Sequence, residues 1–290
     1  MSIQNARTNL AFSFRVLGKG IWRDLKNISR YKVALFGWLF SMLVGLGSAF
    51  IFGTLFQFNP LTTAESGLQS NQVFVFFASG VAISAFVDSA LWAPMNRVER
   101  DIHFGTLEAV FVSPANRLTY LLSPTIADSI LNLLFFIPSF IVIMLVNGSI
   151  TNISILGTTL LVVLLTIISM VSFGVFFAMI AILIRKSRPI AVFLSMLFQF
   201  FCGAYVPVQS YVSLNRTAGE VLKYLASIFP ITHCYDLFRY FTYGGTYLTL
   251  FPVWVEFIFL GVTSLLFLGL AALLLKAGEK KAKRDGLSIL

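Results

Sequence analysis

The segment ILGTTLLVVLLTIISMVSFGVFFAMIAIL, residues 155–183, contains no charged residue. A helix needs about 20 predominantly apolar residues to cross the hydrocarbon core of a bilayer, so this segment is long enough to span a membrane. The whole 290-residue chain is 58% hydrophobic and 11% charged, whereas soluble domains contain about 25% charged residues. The sequence therefore predicts an all-α, polytopic membrane protein. It excludes a disordered chain, a disulfide-rich secreted module and an ordinary soluble enzyme.

Six apolar segments are predicted to be transmembrane helices. They lie at about 33–56, 73–93, 119–146, 155–183, 189–206 and 252–275. The first carries Gly45, Ala49 and Gly53 at four-residue spacing, which predicts the close approach of a neighbouring helix. Glu256 lies near the start of the last span, where we expect it to be solvated at a membrane boundary.

The first 32 residues have the pattern of an amphipathic helix. Apolar and basic residues recur there at steps of three or four on two different faces; the apolar ones are Leu10, Phe14, Leu17, Ile21, Leu25 and Ile28, and the basic ones are Arg15, Lys19, Arg23, Lys26 and Arg30. Such a helix lies in the membrane interface with its basic side toward anionic lipid headgroups. We expect residues 1–32 to form a cytoplasmic interfacial helix and residues 33–290 to form one transmembrane domain.

The distribution of Lys and Arg predicts the orientation of the chain. Of the 21 basic residues, 18 fall in residues 1–32, 94–118, 184–188 and the tail after 275, and the other three fall in 207–251. Basic residues gather on the cytoplasmic side of membrane proteins. We therefore expect a multi-pass protein of the prokaryotic plasma membrane with both termini in the cytoplasm. The net charge of +9 has the same explanation and does not indicate nucleic-acid binding.

Residues 207–251 form an unusually apolar segment between the fifth and sixth predicted spans. Within it, 217–229 is predicted to be a short helix ended by Pro230, and 232–243 a second helix capped by its first residue, a threonine. Both are too short to span a bilayer. The pair predicts an outer re-entrant or interfacial helical hairpin, packed against protein where its backbone groups are satisfied.

Two acidic residues fall within predicted spans, Asp88 in the second and Asp128 in the third. A charge at the bilayer centre costs about 2.5–3.5 kcal/mol on insertion scales, so such groups usually face protein or water. Two interpretations stay open, a polar vestibule or ion relay and a structural hydrogen-bonding or ion-pair partner. An aromatic cluster on the fifth span is a candidate hydrophobic constriction. The candidate substrate path comprises Phe77, Asp88, Asp128, Asn132, Phe200, Phe201 and Tyr205.

The sequence contains no phosphate-binding loop, dinucleotide fingerprint or His-Glu-x-x-His zinc motif. Its two histidines, His103 and His233, fall on opposite sides of the membrane in the predicted topology, so they cannot share a metal ion. Cys202 and Cys234 fit no metal or redox spacing. We therefore expect no catalytic residues, no metal site and no cofactor in this chain.

The loop at 94–118 carries the most specific motif. An acidic-rich stretch around Glu99 is followed by Gly105-Thr106-Leu107-Glu108, an apolar turn and Ser113-Pro114-Ala115-Asn116-Arg117. In this loop the chain resembles the permease subunits of type-2 ABC exporters, which carry such a sequence between their second and third spans. The order of an interfacial helix, six spans and an outer hairpin is similar to that family over the whole chain.

The resemblance implies that the loop is a coupling helix, which seats in a groove of a separate ABC ATPase subunit. The residues expected to make that contact are Glu99, Arg100, Phe104, Gly105, Thr106, Leu107, Glu108, Phe111, Ser113 and Pro114. ATP and Mg would then belong to the partner, and the chain itself would be no enzyme. The family also implies an exporter of an amphipathic drug, lipid or lipid-linked glycan, built as a dimer of this chain with a second copy or a similar permease.

Two other classes stay open. A proton-coupled secondary transporter would use Asp88 and Asp128 as a relay, would work without an ATPase and should show inverted repeats; no clear repeat is visible in the sequence. A structural or interaction protein would need no path across the membrane.

Overall fold

The computed structural model describes residues 3–106, 117–183, 188–214 and 216–285. These residues form helices and turns, without strands. In chain order the helices are α1 Ile3–Arg30, α2 Lys32–Leu55, α3 Pro60–Ser66, α4 Val73–His103, α5 Arg117–Val146, α6 Ile153–Leu183, α7 Arg188–Phe201, the single 3₁₀ turn Val208–Ser210, α8 Tyr211–Leu214, α9 Arg216–Ser227, α10 Pro230–Thr242 and α11 Val253–Asp285.

Five described helices are long and apolar enough to cross a membrane, which supports the predicted all-helical, multi-pass class. They are Leu35–Leu55, Val73–His103, Leu118–Val146, Ile153–Ile180 and Val253–Leu275. The predicted fifth span, 189–206, contains instead the 14-residue helix α7. At 1.5 Å per residue this helix is about 21 Å long, shorter than the roughly 30 Å hydrocarbon core. The count of six spans and the membrane position of α1 and of the hairpin therefore stay predictions.

The helix α4 forms the centre of the bundle and packs against α2, α5, α6, α7 and α10. Its contact with α2 depends on small residues. A Cβ added at Gly45 would lie 2.7 Å from Val81 Cγ1, and one added at Gly53 would lie 2.6 Å from Phe74 Cβ. Both distances are too short for real atoms, so only glycine allows the two helices to come this close. The predicted close approach along α2 is confirmed.

The bundle has two ends, which we call the loop end and the hairpin end. The loop end holds the last turn of α4, residues 104–106 and the start of α5. The hairpin end holds α3, α9 and α10. The hairpin-end helix α10 is almost completely buried among α4, α6 and α11.

The second helix of the hairpin begins at Pro230 with Phe229 as its N-cap. The prediction that Pro230 ends the first helix and that Thr232 caps the second was therefore wrong. Proline is favourable in the first turn of a helix, where its missing N–H is not needed. The Thr232 hydroxyl donates instead to the Ala226 carbonyl at 2.6 Å, which ties α10 to α9.

The segment between α7 and the 3₁₀ turn is not helical, and Gly203 has a φ of +103°. Two carbonyl groups of this segment accept hydrogen bonds from Arg239 of α10. The guanidinium donates to the carbonyls of Gly203 and Ala204, and on the other side to Ser79 Oγ and the Phe76 carbonyl of α4. It also lies over the Phe76 ring, 3.6 Å from the centroid. A single buried side chain thus supplies donors to an irregular stretch that has lost its helical hydrogen bonds.

The expectation that Glu256 is solvated was wrong. Its side chain is 0% exposed because α10 covers the first turn of α11. One carboxylate oxygen accepts a hydrogen bond from the Phe251 N–H at 3.1 Å, and the other lies 4.0 Å from His233 Nδ1.

The boundary of the predicted 94–118 loop also needs correction. Residues 94–103 continue α4, which runs for 31 residues to His103 with Pro94 inside it. Proline lacks the N–H that would bond to the Ala90 carbonyl one turn earlier. Gly174 of α6 approaches that carbonyl, and a Cβ placed there would lie 2.5 Å from it. The proline is accommodated because a neighbouring helix packs against the freed carbonyl.

Candidate functional site

A cavity of about 910 Å³ lies between α2, α4, α5 and α7. Its lining extends along α4 from Phe77 to Asn96, a separation of roughly 28 Å at the rise of an α-helix. That length is close to the thickness of the hydrocarbon core. Ligand cavities in proteins usually have volumes of about 300–1,000 Å³. The cavity is therefore large enough for a drug-sized or lipid-like molecule.

The cavity brings together most of the candidate substrate path. Six of the predicted residues line it, namely Phe77, Asp88, Asp128, Asn132, Phe200 and Tyr205. Phe201 is not among the described lining residues, and its side chain is 46% exposed. A role of these residues in transport stays a prediction.

The two acidic residues of the cavity have different surroundings. The Ser195 hydroxyl of α7 donates to Asp88 Oδ1 at 2.7 Å. Asn132 donates from Nδ2 to the Ala85 carbonyl at 2.9 Å, which fixes α5 against α4 one turn from Asp128. Within the described ranges, neither carboxylate forms an ion pair. The structural interpretation thus holds in part for Asp88, as a hydrogen-bond acceptor, while no described residue supports it for Asp128.

Several lining residues were not identified from the sequence as part of the path. They are contributed by all four walls and include Trp38, Phe52, Trp92, Phe135 and Gln199. A signal for one of them exists in the sequence. Trp92 lies one helical turn after Asp88, so it shares a face of α4 with a polar residue of the cavity. Trp38 and Phe52 lie on an almost uniformly apolar helix and have no such signal.

A buried ion-pair network lies at the loop end. Arg97 contacts Asp24 of α1 through Nη1 at 3.0 Å and Asp101 through Nε at 2.8 Å. The Tyr120 hydroxyl of α5 donates to Asp101 Oδ2, and Ser123 Oγ donates to Asp24 Oδ2 at 3.1 Å. This network joins three helices, and two of its members, Arg97 and Asp101, lie within the predicted partner loop at 94–118. Sequence reasoning missed it because Asp24 and Arg97 lie 73 residues apart and share no periodic pattern.

The structure describes only the first part of the predicted partner contact. Leu107, Glu108, Phe111, Ser113 and Pro114 lie outside the described residues.

In the described part, Phe104 is 69% exposed, and Gly105 has a φ of +65° with open space around its Cα. The Thr106 N–H donates to the Asp101 carbonyl at 2.9 Å, and its hydroxyl lies 3.2 Å from Asp101 Oδ1. The chain after α4 is therefore attached directly to the buried network, while Phe104 projects from it.

Two charged residues of this end differ in their partners. Glu99 forms an ion pair with Arg188 of α7, with Nη2 and Oε2 3.1 Å apart. Arg100 is exposed and makes no ion pair with a described residue. Of the two, only Arg100 has no ion-pair partner among the described residues, so it is the better candidate for contact with a partner.

The chain matches a known protein family. A family model described as ABC-2 type transporter matches residues 19–243, more than half of the chain. The chain belongs to the ABC-2 type transporter family. A comparison with curated proteins gives no match. The match to the family model begins within α1 and ends just after α10, so this ABC-2 permease carries the cavity, the loop end and the hairpin end within the matched region.

Membership in the family has two consequences for the chemistry. ABC-2 domains are membrane subunits of ABC transporters and are normally not catalytic. Members associate in general with an ABC ATPase partner. The permease described here is thus a multi-pass membrane subunit of an ABC transporter.

Proposed function

We propose that this chain is the permease subunit of an ATP-driven exporter. It moves an amphipathic substrate, such as a drug, a lipid or a lipid-linked glycan, out of the cytoplasm or the inner leaflet of the plasma membrane. ATP and Mg²⁺ are bound by a separate ATPase subunit. The observation that carries the proposal is the continuity of α4, since the same helix lines the cavity from Phe77 to Asn96 and holds the ion-pair network and Phe104 at its end.

Coupling follows from this continuity. The partner ATPase engages the loop around Phe104 and Gly105, and its movement on binding and hydrolysing ATP displaces the end of α4. The Arg97–Asp24 ion pair carries this displacement to α1, and the hydrogen bond from Tyr120 to Asp101 carries it to α5. Because α4 and α5 both contribute to the cavity, its shape changes with the state of the nucleotide.

The assembly is a dimer with a second copy or a similar permease, and both termini are cytoplasmic. Support comes from the exposure of α2. In its most apolar stretch only 6% of the residues are buried inside the protein, whereas 72% are buried in the corresponding stretch of α4. Its outer surface carries large exposed side chains such as Phe36, Phe40, Leu43 and Phe50. This surface lies against lipid or against the second permease.

The test is reconstitution with a candidate ABC ATPase subunit from the same organism. We expect the two to co-purify and the complex to hydrolyse ATP, while the permease alone does not. Phe104→Ala should lower ATPase capture at least tenfold, because a truncated aromatic anchor at an interface typically costs about 2 kcal/mol. Phe193→Ala is the matched control, since Phe193 is equally exposed but lies on α7. Wild-type capture and transport by the Phe104 variant would contradict the proposed contact.

One observation favours the alternative, a proton-coupled transporter. Asp88 and Asp128 line the same cavity, as a proton relay would require. This alternative predicts that a proton gradient drives transport in vesicles that contain the permease without any ATPase. Transport that requires ATP and persists without the gradient would exclude it.

A further inference from the structure

We infer that the cavity between α2, α4, α5 and α7 selects amphipathic substrates that carry a positive charge. The inference rests on the proposed function and names its substrate class. The described lining contains two carboxylates, Asp88 and Asp128, and no Lys, Arg or His. This is the reverse of the chain as a whole, which has 21 basic and 12 acidic residues.

The carboxylates of the cavity have unused capacity for a ligand. An ionised carboxylate can accept about four hydrogen bonds, whereas Asp88 accepts one, from Ser195, and Asp128 accepts none from the described part of the chain. Both side chains are partly exposed to the cavity. An intramembrane acid usually faces water or pairs with an opposite charge. Since the described walls offer no such charge, the substrate itself is the group that can supply it.

Aromatic rings accompany the two acids. Trp92 follows Asp88 by one turn of α4, and Trp38 packs edge-on against Phe135 with ring centroids 6.4 Å apart. Farther along, Phe77 and Tyr205 have centroids 6.1 Å apart. The faces of such rings attract ammonium and other organic cations, and their area matches the apolar part of an amphiphile. Carboxylates flanked by rings provide both halves of an amphipathic cation site.

The same lining is unfavourable for anionic cargo. Recognition of a phosphate or carboxylate relies on Arg or Lys side chains or on the N–H groups of a helix N-terminus. The described lining contains neither kind of donor, because its residues lie inside helices or, for Tyr205, after the end of one. Among the proposed cargo classes, a cationic drug-like amphiphile therefore fits better than an acidic phospholipid or a diphosphate-linked glycan.

The experiment uses three probes of equal shape and different charge, tetraphenylphosphonium, tetraphenylborate and the neutral tetraphenylsilane. Binding of each to the purified full-length permease is measured directly in zwitterionic lipid nanodiscs, independently of any ATPase. We expect tetraphenylphosphonium to bind at least tenfold more tightly than the other two. Asp88→Asn and Asp128→Asn should each weaken its binding severalfold, and the double variant should remove the preference for charge.

A matched control is Glu220→Gln, because Glu220 is an exposed acid on α9 outside the cavity. Its affinity for tetraphenylphosphonium should equal that of the wild type. Equal binding of the three probes, or unchanged binding in the double Asp variant, would overturn the inference while leaving the exporter proposal intact. Conversely, failure of the permease to form an active complex with an ATPase would overturn the exporter, whereas the charge preference of the cavity is decided by the binding measurement alone.

Discussion

Two buried arginines lie at opposite ends of the central helix α4, Arg97 within the helix and Arg239 against it from α10, and their surroundings differ. Arg97, at the loop end, is paired with two carboxylates, Asp24 and Asp101. Arg239, at the hairpin end, is 0% exposed and, within the described residues, donates only to carbonyls and to Ser79.

The difference between these two arrangements is mechanical as well as electrostatic. Ion pairs between separate helices can be exchanged when the helices move, since each partner carries its own charge. The Arg239 guanidinium instead holds two carbonyls of a non-helical segment, and each of its hydrogen bonds fixes local geometry. We therefore expect the loop end to yield when helices move and the hairpin end to resist.

Removing the Arg239 side chain at the hairpin end should cause the largest loss of stability. Arg239→Met removes the donor to the buried carbonyls of Gly203 and Ala204, and each buried carbonyl left without a donor costs about 1–3 kcal/mol. Arg239→Lys should recover little, because an ammonium cannot reproduce the planar fork of donors. The measurement is thermal unfolding in detergent, followed by size-exclusion chromatography. A melting temperature of Arg239→Lys equal to that of the wild type would show that the fork is not needed.

Removing Arg97 at the loop end should lower the stability of the protein less than removing Arg239 does, but it should weaken the coupling to the ATPase more. Arg97→Met leaves Asp101 without its counter-charge and leaves Asp24 with only the exposed Arg23, which we expect to cost about 2–3 kcal/mol. Adding Asp24→Asn should restore part of that loss, since it removes a buried charge that has lost its buried partner. A double-mutant cycle on thermal unfolding measures this coupling. Strict additivity of the two changes would show that the pair contributes nothing to the fold.

The tightness of packing at the two ends can be compared with two glycines of α2. Gly53→Val places atoms into the backbone of Phe74, and overpacking of this kind typically costs about 1–3 kcal/mol. Gly37 lies near the loop end with nothing within 4 Å of its Cβ position, so Gly37→Val should change the melting temperature little. Equal destabilisation by the two substitutions would mean that the ends do not differ in packing.

The smallest effect is expected for the exposed ion pair of Glu99 and Arg188. Both side chains are substantially exposed, and such pairs contribute about 0–1 kcal/mol. Arg188→Ala should therefore leave the melting temperature within about a degree or two of the wild type. If Glu99 also contacts the ATPase, freeing it should raise ATPase capture in a pull-down. A large loss of stability would place this pair in the same class as Arg97.

Features that depend on local pattern were predictable from the sequence. The Gly45–Ala49–Gly53 spacing predicted the contact of α2 with α4, and the acids at 88 and 128 were placed among the residues that share the cavity. Features that depend on which other element covers a residue were not predictable from the sequence. Glu256 is buried by α10, which no pattern around position 256 indicates. Pro230 was misread, since it starts a helix instead of ending one, and the residue type alone does not distinguish these two positions.

The missing hydrogen bond at Pro94 sets where α4 is least stiff. Helices bend most easily where proline interrupts their hydrogen bonding, and here the freed Ala90 carbonyl is met by Gly174, which has no side chain to block a change of angle. This weak point lies between the ion-pair network and Asp88. If an ATPase displaces Phe104, we expect α4 to bend near Ala90, so that the far half of the helix keeps its position against Arg239 while the near half moves. The bend would lie within the wall of the cavity, because Ser89 and Trp92 on either side of Ala90 line it.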